Sequence, residues 1–150
     1  MYKKILVPLD GSKNDQVVLE HVKALARELG SSLTLILVHR LAKADDPFER
    51  QVQMEDGSSG YRAKLRAEAY LPELEESVRS DGIDVSTEFL VAEEPEADAI
   101  VRYAREHDFD LIALVNRERS PIGTFFFGNI EEKVRRRSTI PVLFVSESRS

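Results

Sequence analysis

The sequence predicts an α/β fold, a three-layer α/β/α sandwich in which helices cover both faces of a parallel sheet. Five short apolar runs alternate along the 150 residues with stretches in which apolar residues recur at helical spacing. This β-α-β-α-β-α-β-α-β order is typical of parallel strands joined by right-handed crossovers. Neither an internal repeat nor a linker interrupts the pattern, so residues 1–150 are predicted to form a single domain.

The first strand and the first helix are predicted at the start of the chain. Residues 5–9 are a short apolar run bounded by charge, which is typical of a buried parallel strand. Residues 10–12 (Asp-Gly-Ser) form a turn, and Ser12 is predicted to cap the following helix. Apolar residues at helical spacing predict that helix at residues 14–29, with Gly30 at its end.

The second strand is predicted at residues 33–38, a run too short to be a helix. Residues 39–60 contain Asp-Asp-Pro and Asp-Gly-Ser-Ser-Gly segments and are predicted to be a flexible loop. A helix follows at residues 61–80, and Gly82 is predicted to stop it. Because Pro72 lies inside this helix, the sequence predicts a kink there or a break in its first half.

Three further strands complete the predicted sheet. They are predicted at residues 84–91, 110–115 and 140–145. The first of them alternates polar and apolar residues, which favours an edge position. Residues 93–96 are an acidic helix start, and Gly128 or Asn129 is predicted to cap the last helix, which has an acidic first turn and a basic last turn. Residues 146–150 are predicted to be a polar, frayed tail.

The formal net charge of -6 and the absence of cysteine restrict the function. A negative chain has no overall positive field, which argues against general nucleic-acid binding. Without cysteine, disulfides and Cys-based metal sites are excluded. No apolar run approaches the roughly 20 residues of a membrane helix, and the N-terminal run is too short for a signal peptide. We therefore predict a cytoplasmic protein that binds neither nucleic acid nor membranes.

The familiar catalytic and metal-binding motifs are missing from the sequence. His21, His39 and His107 fall on different elements without the spacing of a metal pair, and the first and last are predicted to lie on the surface. There is no Gly-x-Ser-x-Gly elbow and no phosphate-binding loop ending in Gly-Lys-Ser/Thr. No catalytic residue and no metal ligand is therefore predicted.

Several segments together resemble the universal stress protein family. Residues 4–12 (KILVPLDGS) resemble its first strand and turn, and residues 33–39 resemble its second strand. Residues 93–97 stand where the family enters its third long helix. Residues 119–129 and 140–145 resemble its C-terminal signature. The resemblance covers essentially the whole chain and rests on the combination, since each segment alone is not specific.

The resemblance implies a fold, an assembly and a ligand class. The family has a five-stranded sheet of order 3-2-1-4-5, the adenine-nucleotide alpha-hydrolase-like fold, and generally forms dimers. Dimers often pair the last strands of two subunits, which covers an otherwise open apolar edge. The residues of that predicted dimer edge are Val142, Leu143, Phe144 and Val145.

The phosphate-binding motif of the family is altered in this chain. Its ATP-binding members carry Gly, two residues, Gly, nine residues, Gly, and then Ser or Thr. The glycines allow backbone amides to approach phosphates, and the hydroxyl adds a donor. Laid on this chain, these positions are Val115, Glu118, Gly128 and Asn129, so only one glycine is kept. Glu118 also adds repulsion of about 1 kcal/mol or more toward a triphosphate.

The adenine end of the family's site is better preserved. Asp10 matches the aspartate that contacts the base or ribose, and Val38 matches the position whose backbone contacts the base. Pro8 and Leu9 are predicted to line the same cleft. The alternatives are that Asp10 only satisfies its own turn and that Val38 is only a core residue. The complete candidate nucleotide site comprises Pro8, Leu9, Asp10, Val38, Val115, Asn116, Arg117, Arg119, Gly128, Asn129 and Ile130.

Two functions remain open at this point. The first is a dimeric stress-response protein that binds or senses a partner, with weak or absent conventional ATP binding. The second is a member that binds ATP or AMP and hydrolyses ATP slowly, with Arg117 and Arg119 supplying charge that the lost glycine motif does not. In the first case these two arginines are solvated loop residues. No cofactor other than ATP or AMP is implied, and the resemblance does not identify a protein partner.

Overall fold

The computed structural model describes residues 1–41, 59–116 and 130–146. The strands are β1 (Lys4–Leu9), β2 (Ser32–Arg40), β3 (Val85–Ala92), β4 (Leu111–Asn116) and β5 (Val142–Ser146). The described helices are α1 (Asn14–Leu29), α2 (Ser59–Ser80), α3 (Glu96–Glu106) and α4 (Ile130–Arg137). All strand pairs are parallel, and the sheet order β3-β2-β1-β4-β5 confirms the predicted order. β3 lies at an edge, as its alternating pattern predicts.

The carboxyl ends of the central strands form a step. Leu9, the last residue of β1, pairs with Leu37 of β2, which pairs in turn with Phe89 of β3. The latter two strands continue three residues further, to the pair formed by Arg40 and Ala92. The chain that leaves β1 therefore turns away beside a wall made by β2 and β3, in the region where open α/β sheets bind ligands.

Both faces of the sheet are buried under helices. Alternate residues of β1 point to opposite sides, because side chains alternate along a strand. Ile5 and Val7 belong to the core under α1 and α2, whereas Leu6 belongs to the core under α3 and α4. The middle of β1 is completely buried. This explains why the strands read as continuous apolar runs in the sequence.

The predicted loop at residues 39–60 is wrong at both of its ends. His39 and Arg40 continue β2, where they pair with Val91 and Ala92 of β3. Gly60 is already part of α2. Backbone pairing with β3 extends the strand because it requires no apolar side chain. Residues 42–58 lie outside the described part of the chain.

Pro72 does not break α2. The helix is continuous from Ser59 to Ser80, although an interior proline removes one hydrogen bond and costs about 3 kcal/mol. Leu71 and Leu74 on either side of the proline are buried against the sheet core. Burial of such side chains contributes about 1.5–3 kcal/mol each, which offsets the proline.

The remaining boundaries follow the sequence closely. β3, β4 and β5 begin one or two residues later than predicted and end one residue later, so Ser146 is part of β5. Residues 147–150 lie outside the described part. Gly30 and Gly82 adopt positive φ angles of 68° and 80° just after helices, which confirms both predicted helix ends. None of the described helices has the length and apolarity needed to cross a membrane.

Candidate functional site

The loop between β1 and α1 is a tight turn held by its own side chains. Asp10 Oδ1 accepts hydrogen bonds from the Ser12 amide at 2.8 Å and from the Ser12 hydroxyl at 2.6 Å. Gly11 has a φ of +81°, which favours glycine at this position. The prediction that Ser12 is the N-cap residue of α1 is wrong. Lys13 takes that position, because the turn lengthens the loop by one residue, and Ser12 Oγ instead accepts the Asn14 amide at 3.1 Å.

Asp15 fixes this loop from beneath. Its side chain is only 2% exposed. Oδ1 accepts the Asp10 amide at 3.0 Å, and Oδ2 accepts the Gly11 amide at 2.9 Å and the Tyr70 hydroxyl at 2.7 Å. One carboxylate thereby connects the end of β1, the start of α1 and the middle of α2. This role of Asp15 was not predicted, although Asp15 stands three residues before Val18 on the buried face of the helix, where a charge is unexpected.

Burial changes the acidity of both groups in this contact. Desolvation raises the pKa of Asp15 above its ordinary value of 3.8, against the lowering effect of the hydrogen bonds from Asp10 and Tyr70. Desolvation also raises the pKa of Tyr70 above 10, and the neighbouring carboxylate of Asp15 raises it further. Tyr70 therefore keeps its proton and remains the hydrogen-bond donor.

A cavity of about 500 Å³ opens beside the Asp15 contact, at the carboxyl ends of β1, β2 and β3. This volume lies within the range of roughly 300–1,000 Å³ typical of small-molecule sites. Leu37, Val38 and Phe89 supply apolar lining from the sheet, and Ala63 and Ala67 supply it from α2. The apolar surface is suited to a flat ring.

Polar groups converge on the same cavity from three elements. Asp10 and Gly11 come from the loop after β1. His39 comes from the end of β2, and Arg66 and Tyr70 come from one face of α2. Arg66 and Tyr70 were not predicted as site residues, because helical spacing indicates which residues share a face but not what that face covers.

A second, much smaller cleft lies between β1 and β4, at the point where the strand order reverses. The described residues leave a volume of about 20 Å³ there, which is roughly the space of one water molecule. Four carboxylates line it, those of Asp10, Asp15, Glu96 and Glu131. Glu131 is only 4% exposed. The lining is thus acidic on the side where the family resemblance implies a phosphate site.

The predicted nucleotide residues fall into three groups. Asp10 lines both the cavity and the cleft, whereas Val38 lines only the cavity. Pro8 and Leu9 line the cleft rather than the cavity, because β1 ends before the step made by β2 and β3. The other residues of the cleft that were predicted are Val115 and Ile130. Asn116 pairs with Ser146 at the end of β4, and Arg117, Arg119, Gly128 and Asn129 lie outside the described part.

The histidines lie apart from one another. His21 and His107 are on the surface, as predicted, and only His39 of the three lines the cavity. No group of three or more His, Asp or Glu side chains in the described ranges is arranged to hold a metal ion.

The predicted dimer edge is the outer strand of the sheet. Among the described residues, β5 pairs with β4 and with no other strand. Leu143 is 37% exposed, and Val142 and Phe144 are half-buried against the core under α3 and α4. Val145 is instead buried in the core under α1 and α2 of its own chain. The accessible apolar part of this edge is therefore smaller than the sequence run suggests.

Known proteins match both the sequence and the fold. A family model described as the Universal stress protein family matches residues 1–146. Universal stress protein MJ0577 of Methanocaldococcus jannaschii is 27% identical, and the match covers 100% of this chain and 98% of that protein. Its solved structure superposes with a TM-score of 0.79 at 23% identity, covering 100% and 99% of the two chains.

Two similar structures were solved with nucleotides. The universal stress protein from Archaeoglobus fulgidus in complex with dAMP has a TM-score of 0.68 at 19% identity, covering 96% of this chain and 98% of that one. A universal stress protein in complex with cAMP has a TM-score of 0.69 at 21% identity, covering 98% of each chain. The whole-chain family match, the sheet order and these similar folds lead to one conclusion: the chain belongs to the universal stress protein family.

Proposed function

We propose that this protein binds an adenine mononucleotide as a sensing ligand and has no conventional ATP phosphate site. The observation that carries the proposal is the cavity of about 500 Å³ beside Asp10 and Val38. These are the two positions that match the family's adenine contacts. Apolar lining for a ring and a carboxylate for ribose hydroxyl groups lie within one site, which is the usual composition of a ligand pocket.

Relatives support a mononucleotide ligand. Proteins of the same fold have been solved in complex with dAMP and with cAMP. Each of these ligands carries one phosphate. Such a ligand needs an adenine pocket and one anion contact, and it does not need the long glycine-rich loop that a triphosphate occupies.

The sequence and the charge distribution support weak ATP binding. Val115, Glu118 and Asn129 replace two glycines and the hydroxyl residue of the ATP motif. The cleft between β1 and β4 is lined by acidic side chains and has a volume of about 20 Å³ among the described residues. A volume of that size holds about one water molecule, so the described residues leave no room there for a phosphate chain.

Calorimetric titration of the full chain with AMP, cAMP and magnesium-ATP tests the proposal. We expect AMP or cAMP to bind more tightly than ATP. Asp10→Ala is expected to weaken that binding by about tenfold, the loss of one good hydrogen-bonded contact. Asp10→Asn keeps an acceptor for Ser12 and so separates loss of charge from loss of the turn.

Asp84→Ala provides the matched control, because Asp84 is exposed at the opposite end of the sheet, just before β3. It should leave nucleotide binding unchanged. Magnesium-dependent ATP binding that is tighter than AMP binding, and is lost in Asp10→Ala, would contradict the proposal and favour an ATP-binding member with slow ATPase activity.

We further propose that the protein acts as a homodimer joined through β5. An unpaired strand with exposed apolar side chains readily pairs with another chain. In the part of the chain that the structure describes, β5 is the outer strand and pairs only with β4, and its Leu143 is exposed. Pairing of two β5 strands satisfies the backbone groups of both edges.

A further inference from the structure

The cavity and the neighbouring cleft differ in charge. Arg66 of α2 brings a guanidinium group to the cavity, and no carboxylate in the described ranges forms a salt bridge with it. The cleft on the other side of Asp10 is lined by acidic side chains, of which Asp15 and Glu131 are buried. A ligand in the cavity therefore has a guanidinium group on its α2 side.

We propose that Arg66 binds the anionic group of the ligand, so that the phosphate of a mononucleotide points toward α2 and away from the loop after β4. This inference rests on the proposed function and assigns the orientation of its ligand. A guanidinium group matches phosphate geometry with two parallel hydrogen bonds. It is also the cation that the described cavity offers on the side away from the carboxylates.

The remaining groups of the cavity fit this orientation. The ring of the ligand lies against Leu37 and Phe89, between the acidic cleft and α2. His39 stands on the α2 side, and its Nε2 atom is buried without a hydrogen-bond partner in the described part of the chain. Tyr70 donates a hydrogen bond to Asp15, and its hydroxyl oxygen can still accept a hydrogen bond from a ligand hydroxyl group.

The test compares AMP with adenosine, which lacks only the phosphate. The wild-type full chain should bind AMP at least about tenfold more tightly than adenosine, the gain of one charge-assisted contact. In Arg66→Gln the two ligands should bind about equally, because AMP affinity falls while adenosine affinity stays within about twofold. Arg66→Lys keeps the positive charge but loses the planar guanidinium group that makes two parallel hydrogen bonds. It should therefore show a preference for AMP between those of the wild type and Arg66→Gln.

Arg62→Gln is the control, since Arg62 stands one turn earlier on α2 and does not line the cavity. It removes the same charge from the same helix, so an equal effect would indicate long-range attraction rather than contact. Circular dichroism and urea unfolding check that each variant folds. Arg66 is exposed, so a large loss of stability is not expected.

Three results would overturn the inference, and they are distinguishable from one another. If Arg62→Gln and Arg66→Gln lose the preference for AMP over adenosine equally, a specific contact between Arg66 and the phosphate is excluded. A preference for AMP that survives in Arg66→Gln but disappears in Arg119→Gln places the phosphate at the loop after β4, while the proposed function stands. If the wild-type protein binds neither AMP nor adenosine, the proposed function fails and the orientation fails with it.

Discussion

Tyr70 donates a 2.7 Å hydrogen bond to Oδ2 of Asp15, and this bond connects the middle of α2 to the start of α1. The same carboxylate holds the amides of Asp10 and Gly11. Since Asp10, Gly11 and Tyr70 also line the cavity, a single buried group sets the positions of two of its sides. Stability and ligand binding should therefore be coupled at this contact.

Tyr70→Phe tests the contact directly. Removing the hydroxyl leaves the buried Asp15 carboxylate with one donor fewer, which should lower the free energy of unfolding by about 1–3 kcal/mol. Urea denaturation measures the change. Tyr61→Phe is the matched control on the same helix, because Tyr61 is 58% exposed and its loss should change stability by less than about 0.5 kcal/mol. Equal effects of the two substitutions would contradict the assigned role.

Asp15→Asn tests the raised pKa of the carboxyl group. The unfolded chain ionises this group near 3.8 and the folded protein does so at a higher pH, so the folded state binds more protons between these values. The stability that Asp15 contributes is complete below pH 3.8 and is lost as the pH rises through the raised pKa. The difference in unfolding free energy between wild type and Asp15→Asn should therefore fall from about pH 4 upward and then level off.

The stability that Asp81 contributes should depend on pH with the opposite sign. Its hydrogen bond to Lys23 at 2.9 Å, together with the charge of Lys23, lowers the pKa of Asp81. Its contribution is present above pH 3.8 and is lost as the pH falls through the lowered pKa. The difference in unfolding free energy between wild type and Asp81→Asn should thus rise with pH. Differences with the same sign for both variants would show that one of the two assignments is wrong.

Gly11→Ala separates loop geometry from general stability. At both Gly11 and Gly30 an added methyl group meets no atom within 4 Å, and the φ angles are +81° and +68°. Each alanine should therefore cost about 1 kcal/mol of unfolding free energy through backbone strain alone. AMP affinity should fall several-fold only in Gly11→Ala, as measured by calorimetry, because only that loop lines the cavity. Equal AMP affinities in the Gly11 and Gly30 variants would show that the loop after β1 does not contribute to AMP binding.

Leu143→Lys tests the proposed dimer. Light scattering at tens of micromolar should give twice the mass of one chain for the wild type. Lysine in the outer strand places a charge in the proposed interface, so the dissociation constant should rise at least about tenfold. Leu29→Lys is the control, because Leu29 is a similarly exposed leucine (43%) at the end of helix α1 and is not part of the strand edge. A monomeric wild type would remove the dimer proposal.

The sequence predicted the elements that a local pattern encodes. The central strands were visible as apolar runs because both of their faces are buried, and the edge strand β3 was visible from its alternation. Gly30 and Gly82 marked helix ends because few other residues adopt positive φ. Local pattern failed where distant contacts decide the outcome. β2 continues through His39 because β3 pairs with it, and α2 continues through Pro72 because its neighbours are buried in the core.

The order of apolar runs and helical spacings thus determined the fold class, and the altered glycine motif determined which family feature this chain has lost. Only the tertiary structure showed that Asp15 lies beneath the loop of Asp10, and that Arg66 faces the same cavity from α2. These residues are far apart in sequence or unremarkable in pattern. Their meeting depends on helix packing against the sheet, which no local spacing specifies.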